Sequence, residues 1–244
     1  MPHYLDSPGF KFLELSKHTR ERLFSRKREN IAPAEPFKQY PGSEIVELPE
    51  FHPRGQSLWE ALKERRSMRK YRQLPLEPED LSGLIWAAQG ITAKLGNYLL
   101  RTAPSAGALY PIETYLCINS VQGIGPGLYH YNVAFSHQEL LAKGSFGKEL
   151  GERAFGQPMC WKAQVVFIWS AIPRRTMSKY GSRGVRYIFM DVGHICQNVL
   201  LAATALGLGA CPIGAFLDDE IDELLGLDGM EETTVYLASV GIPQ

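Results

Sequence analysis

The sequence predicts an α+β fold, and three observations predict it. Strand-like and helix-like segments are interspersed without strict β-α-β repetition, so an all-parallel sheet is not expected. Val165 to Ser170 is an unbroken apolar run of strand length, which suits a central strand. Arg186 to Leu206 carries Val192, Ile195, Cys196, Val199, Leu200, Ala203 and Leu206 on one helical face, and its other side is also poor in charge. A helix apolar nearly all round belongs inside a core.

The elements follow in chain order. Residues 1–55 read as an N-terminal arm and residues 56–244 as the globular domain. Phe10 to Arg28 has the pattern of an irregular helix dense in charge, and Ile31 to Pro53 carries five prolines with little periodicity. Such a segment cannot bury itself. Its aromatics Phe37, Tyr40 and Phe51 predict an arm laid across the core or a partner subunit. Ser57-Leu58-Trp59-Glu60 is a capping box that opens a helix ending around Arg65. Pro78 suits a first helical turn, Leu81, Leu84, Ile85 and Ala88 follow at helical spacing, and Gly90 is the stop. Thr114 to Ile118 reads as a strand, and Gly123 to Gly127 as a turn into a second strand over Leu128 to Asn132. Gly207 closes the long helix. Asp218 is expected to cap a short helix through Ile221, Leu224 and Leu225 that Gly226 ends, and Thr233 to Val240 is the final strand.

Composition narrows the partners. The chain of 244 residues is 45% hydrophobic, with 26 basic and 26 acidic residues, so bulk charge gives no reason to expect nucleic acid or an anionic membrane. Cys117, Cys160, Cys196 and Cys211 stand alone, without a Cys-x-x-Cys pair or zinc-ligand spacing, and read as buried thiols in a reducing compartment. Cys211 precedes a Pro-Ile-Gly turn and is the one placed to approach a ligand. Neither a signal-peptide core nor a membrane span is expected, which points to a cytoplasmic protein.

The positive charge that matters is local. Arg65-Arg66-Ser67-Met68-Arg69-Lys70 places three guanidinium groups and a hydroxyl just past a helix. Guanidinium forks match phosphate oxygens, although a solvated last helical turn uses the same residues. Gly123-Ile124-Gly125-Pro126-Gly127 is not a dinucleotide fingerprint, because the spacing is wrong and a strand follows it; no Walker-type lysine exists either. Thr102 to Pro111 consists of small residues between two prolines, which is either a tight connection or a surface that lets a flat ligand approach the backbone. Cys211 to Phe216 has the same character. His194 reads as a core or interface histidine. Lys179 to Arg183 reads as a polar loop or as a lip facing substrate.

Four of these pieces occur together in one family. The Arg-Arg-Ser-x-Arg segment, the Pro-Ser-Ala-Gly-Ala-Leu-Tyr-Pro loop, the helix Arg186-Tyr187…Asp191-x-Gly193-His194 and the Pro212-Ile213-Gly214 turn appear in this order in the nitroreductase superfamily. More narrowly, the chain resembles the SagB/ThcOx-type dehydrogenases, a branch that includes azoline oxidases of peptide natural products. Leu15 to Thr19 and Pro36 to Tyr40 share that resemblance.

The resemblance implies an antiparallel-dominated central sheet flanked by helices, in a domain-exchanged homodimer with FMN at the subunit interface. It implies that Arg65 and Ser67 hold the phosphate and ribityl chain, that Arg66 contributes backbone, and that Arg69 is the cation near flavin N1/O2. Pro104, Ser105, Ala106, Gly107 and Leu109 would line the flavin from the other subunit. Pro212, Ile213, Gly214 and Ala215 would run beside the ring. Many nitroreductases have a Glu where Gly214 stands, so only a backbone contact is carried over there. Classical members have further basic phosphate ligands near the C-terminus, and Arg186 or Arg101 is a possible substitute. Tyr180 and Arg183 are the candidates for substrate contact. The implied activity is hydride transfer between NAD(P)H or an oxidisable substrate and a small-molecule acceptor. The alternatives are oxidation of a peptide azoline, consumption of the flavin itself, and a non-catalytic flavin-binding subunit.

Overall fold

A computed structural model describes residues 6–20, 30–96 and 98–244. The segment from 21 to 28 of the expected N-terminal helix lies outside the described residues. Within them, α1 spans Pro8–Leu15, started by Ser7, whose side chain accepts from the Phe10 N–H.

A seven-stranded sheet organises the chain. It comprises β1 (Glu44–Val46), β4 (Ile112–Ile118), β5 (Gly127–Asn132), β6 (His137–Lys143), β7 (Val165–Ala171), β8 (Gly209–Ile213) and β9 (Thr233–Gly241). The order is β1-β6-β5-β4-β7-β9-β8, and all these pairings are antiparallel. A separate hairpin pairs β2 (Ile91–Leu95) with β3 (Tyr98–Arg101). The helices are α2 (Leu58–Glu64), α3 (Pro78–Gln89), α4 (Gly147–Arg153), α5 (Met159–Lys162), α6 (Pro173–Tyr180), α7 (Gly184–Ala205) and α8 (Asp218–Leu225).

Side chains alternate between the two faces of the sheet, as strand geometry requires. Leu116, Ile118, Phe167, Trp169 and Ala238 face a core shared with α3 and α7. Tyr115, Cys117, Val166, Ile168, Cys211 and Leu237 face a second core under α4, α5 and α8. β4 and β7 are buried along their whole length, which is why Val165 to Ser170 reads as a continuous apolar run. The long apolar segment Pro173–Ala205 is broken at Gly181, and its α7 part lies against α3, α6 and β8.

Capping and helix-breaking residues set the ends of α2 and α3. The capping box at Ser57 is complete in both directions, and Arg65 ends α2 with an extended backbone. Pro78 opens α3 and Gly90 ends it. α7 begins two residues before the expected start, at Gly184. Leu217, not Asp218, occupies the cap of α8, and Asp218 is its first helical residue. Cys211 to Ile213, expected as a turn, is the edge strand β8. Pro212 is tolerated there because an edge strand has one side free of ladder bonds.

The segment before α2 lies on the core. Lys38 Nζ donates to Tyr115 Oη at 2.8 Å and pairs with Glu232 at 2.6 Å. The Tyr40 ring packs edge-on to His130, with centroids 5.1 Å apart. Phe51 lies 5.7 Å from Trp86 and occupies the space above Gly83.

Candidate functional site

The cationic segment is fixed by the edge of the sheet. After α2 the chain runs beside β8, where Ser67 bridges Ala210 and the Met68 N–H donates to the Ala210 carbonyl at 2.9 Å. Gly209 permits this approach, since a Cβ there would stand 2.8 Å from Met68 Cβ. Tyr71 locks the far end, its hydroxyl donating to the Met68 carbonyl at 2.6 Å and meeting Ser239 Oγ at 2.9 Å.

Five cations, Arg65, Arg66, Arg69, Lys70 and Arg72, project from this short run, and among the described residues none pairs with a carboxylate. Arg65 is half-buried and Arg69 exposed. Arg66 turns back on its own backbone, donating to the Arg65 carbonyl at 2.8 Å. The Cys211 thiol is buried, not presented to a ligand. Burial pushes its pKa up, while Arg69 and a hydrogen bond with Ser67 pull it down. The Ser67 bridge to Ala210 sets the cationic segment beside Cys211. From there β8 stays paired with β9 as far as Ile213, and the chain then leaves the sheet at Gly214 and Ala215, both exposed, where the Ala215 carbonyl accepts from Gln157 at 2.9 Å.

A second set of residues collects elsewhere on α7. Ser105 donates its hydroxyl proton to Asp191 Oδ2 at 2.6 Å and accepts from the Tyr110 N–H at 2.9 Å. Gly107 has a φ of +68°, and a Cβ there would stand 2.7 Å from Tyr180 Oη and 2.9 Å from Lys179 Nζ. The loop of small residues thus faces the Lys179–Tyr180 end of α6. Pro104 and Gly107 are exposed, while Ser105, Ala106 and Leu109 are half-buried. Within one chain this loop rests on Asp191 and Tyr180, and the cationic segment rests on β8.

Arg183 and Arg186 are committed to α1. Arg183 donates to Tyr187 Oη at 2.9 Å and to the Ser16 carbonyl at 2.8 Å, and Arg186 donates to Ser16 Oγ at 2.8 Å and to the Leu13 carbonyl. Cations at a helix C-terminus complement its dipole. Arg101 is buried, donates to Gln89 Oε1 at 3.0 Å and lies 4.3 Å over the Tyr110 ring. Within this chain Arg101 is held by Gln89 on α3 and Arg186 by α1. Tyr180 packs edge-on against Tyr187, with centroids 5.0 Å apart.

The chain matches the nitroreductase family model over residues 62–242. It belongs to the nitroreductase family. A nitroreductase homologue of Methanocaldococcus jannaschii is 40% identical over 184 residues, which is 75% of this chain and 90% of that protein. The trifolitoxin-processing protein TfxB of Rhizobium leguminosarum is 31% identical over 57% of this chain, and the microcin B17-processing protein McbC of Escherichia coli is 30% identical over 52%. The matches span 39% of TfxB and 49% of McbC. Among solved structures, a nitroreductase-type protein of Anabaena variabilis superposes with a TM-score of 0.73 at 28% identity, over 85% of this chain and 44% of that one. A Desulfovibrio desulfuricans relative solved with FMN has the same fold at 17% identity and a TM-score of 0.55, over 77% of this chain and 87% of that one.

This nitroreductase-family chain offers a donor set that suits a flavin mononucleotide. Arg65, which has no acidic partner among the described residues, and the Ser67 hydroxyl match a phosphate, Arg69 adds a second such cation, and the open space around Gly214, where the nearest neighbour of a Cβ is Tyr236 at 3.8 Å, leaves room beside the strand. Two contacts of the small-residue loop, with Lys179 and with Asp191, have no signature in the sequence. Both are long-range in sequence and leave no periodic signal.

Proposed function

We propose that this chain is an FMN-dependent oxidoreductase that passes hydride between NAD(P)H or an oxidisable substrate and a small-molecule acceptor. The single observation that carries the reading is the cluster of Arg65, Ser67 and Arg69, whose backbone is held against β8 and whose guanidinium groups have no acidic partner among the described residues. Arg65 and Ser67 bind the phosphate end, with Arg66 contributing backbone. Arg69 is the cation beside the pyrimidine end of the ring. Pro212, Ile213, Gly214 and Ala215 border the ring with small side chains and backbone N–H groups. Bound FMN supplies the hydride chemistry, and the protein supplies position and electrostatics. A cation ~4 Å from a developing anion contributes roughly 4 kcal/mol at an effective dielectric of 20, before desolvation. Tyr180 is positioned to hold or move a proton at its phenol oxygen. Arg183, hydrogen-bonded to Tyr187 and to the end of α1, is the second candidate for substrate contact.

The reading includes a homodimer. Pro104, Ser105, Ala106, Gly107 and Leu109 would complete the partner's site, which accounts for their separation from the cations within one chain. Exposed apolar residues support it: Phe189 and Met190 on α7, and Leu58, Trp59 and Leu62 on α2, sit where a partner would cover them. The four free, buried cysteines suit a reducing cytoplasm.

A peptide substrate is the second reading, and the similarity to TfxB and McbC favours it. The test of the main reading is spectroscopic. The purified protein should be yellow, bleach with NAD(P)H under nitrogen and recover with a quinone. A colourless protein that takes up no FMN would overturn it.

A further inference from the structure

The loop between Pro104 and Pro111 holds two non-glycine residues in the left-handed region, Ala108 at φ +54° and Tyr110 at φ +46°. Such residues are strained and persist only where the surroundings dictate them. At the Ser105 end the surroundings centre on one carboxylate. Asp191 accepts the Ser105 hydroxyl at 2.6 Å, and the Ala106 N–H faces the same carboxylate. The Ser105 oxygen accepts the Tyr110 N–H at 2.9 Å, and its carbonyl accepts the Ala108 N–H at 3.0 Å. These bonds close a ring across residues 105–110 that encloses both left-handed positions. The anchor is rigid, because Asp191 is buried on α7 between the core residues Ile188, Val192 and Ile195. The Tyr110 end has its own supports: its carbonyl accepts from Arg175 and its hydroxyl from the Arg101 N–H, each at 3.1 Å. Those supports do not reach Ser105 or Ala106.

We propose that Asp191 is a positioning residue for the flavin reaction: through Ser105 and the Ala106 N–H its carboxylate sets the left-handed shape of the 104–110 loop and thereby holds Gly107 against Tyr180 and Lys179. The role of the loop in catalysis rests on the flavin reading above, whereas the hydrogen-bonded ring does not. A carboxylate is needed because two donors converge on it. An asparagine keeps one acceptor oxygen and would turn an N–H₂ toward a donor.

The test uses Asp191→Asn, Asp191→Glu, Ser105→Ala and the Asp191→Asn/Ser105→Ala double variant in the full chain. Amide hydrogen exchange is first read on flavin-free protein. Protection of residues 105–110 should fall about ten- to a hundredfold in Asp191→Asn and Ser105→Ala, the effect of losing a bond to a charged acceptor, while β4 and α7 keep theirs. The double variant should lose no more than Asp191→Asn alone, since both act on one ring. At saturating FMN the variants should show an altered visible circular dichroism and a lower kcat with little change in KM, and their FMN affinity should fall, because Ser105 and Ala106 border the partner's flavin. Asp191→Glu should recover part of the protection. Unchanged protection in Asp191→Asn, or losses that multiply in the double variant, would overturn the inference. Should Asp191→Asn fail to fold, Ser105→Ala carries the same test. If exchange behaves as expected but no protein binds FMN, the flavin reading fails and the ring stands.

Discussion

His130 Nε2 lies 3.0 Å from a Glu113 carboxylate oxygen at a place where both side chains are shut off from water. The other ring nitrogen faces Glu139 at 2.8 Å, and Glu113 also pairs with Arg175 at 2.5 Å. Burial alone would favour a neutral ring, but the two carboxylates win and the His130 pKa is raised. Against the same burial, Arg175 and His130 pull Glu113 down to about 2, and His130 with Asn132 pulls Glu139 to about 2.

The pH dependence of stability follows from these signs. A raised histidine contributes stability that is full below its unfolded pKa of about 6.5 and is lost as pH rises through its folded value. The lowered carboxylates contribute above their unfolded pKa, about 4.3, and that contribution is lost as pH falls toward 2. Thermal melts across pH should therefore peak in the mildly acidic range, between about 4.5 and 6.5. His130→Gln should flatten the alkaline limb and cost about 3–5 kcal/mol, because it leaves two buried carboxylates short of a partner. A wild-type melting temperature that climbs steadily from pH 6 to 9 would contradict this assignment.

Gly107 gives a second prediction. Gly107→Ala forces a Cβ onto the ends of Tyr180 and Lys179 at a φ of +68°. Both obstacles are tips of side chains and can swing away, so the expected stability loss is only about 1 kcal/mol, from the backbone strain. Turnover should fall far more than stability, because Tyr180 is displaced. A variant with wild-type turnover would remove Tyr180 from the site.

Phe189 and Met190 test the shared site. Wild-type protein should scatter light as a dimer, and Phe189→Glu/Met190→Glu should shift it toward monomer and weaken FMN binding together, since the loop of the partner is then lost. A monomeric wild-type protein with normal FMN affinity would contradict the exchange of loops between subunits.

How much of this was legible in the sequence depends on how far apart the causes lie. The capping box at Ser57 and the proline at the start of α3 are local devices and could be read directly. The dense arginines after α2 are equally visible, since so much charge exceeds what a helix end needs, and the proposed anion site rests on them. β6 could not be read this way: His137-Gln138-Glu139 places polar groups inward, where the network with His130 and Asn132 satisfies Glu139, and that defeats the alternation on which a strand is recognised. β8 was disguised by Pro212 and Gly209, which suit an edge strand closely approached by Met68. The meeting of Gly107 with Tyr180 and the seating of Arg183 and Arg186 on α1 join residues distant in sequence, and only the fold brings them together.

A fourth prediction separates the uses of a bound flavin. An oxidoreductase should bleach and recover through many cycles with NAD(P)H and a quinone or nitroarene. A flavin-consuming enzyme should lose the chromophore after one reduction in air, and an accessory subunit should stay oxidised throughout. Repeated cycling with unchanged absorbance near the flavin maximum supports the first, and loss of the chromophore on the first cycle contradicts it.

The central claim is that the guanidinium groups after α2 anchor FMN, and a fluorescence titration of flavin-stripped protein with FMN tests it most directly. Arg65→Ala and Arg69→Ala should each weaken binding by roughly 1.5–3 kcal/mol, about ten- to a hundredfold in Kd, whereas Arg66→Ala, whose guanidinium already faces its own backbone, should change it much less. Full FMN affinity in both Arg65→Ala and Arg69→Ala would contradict the account.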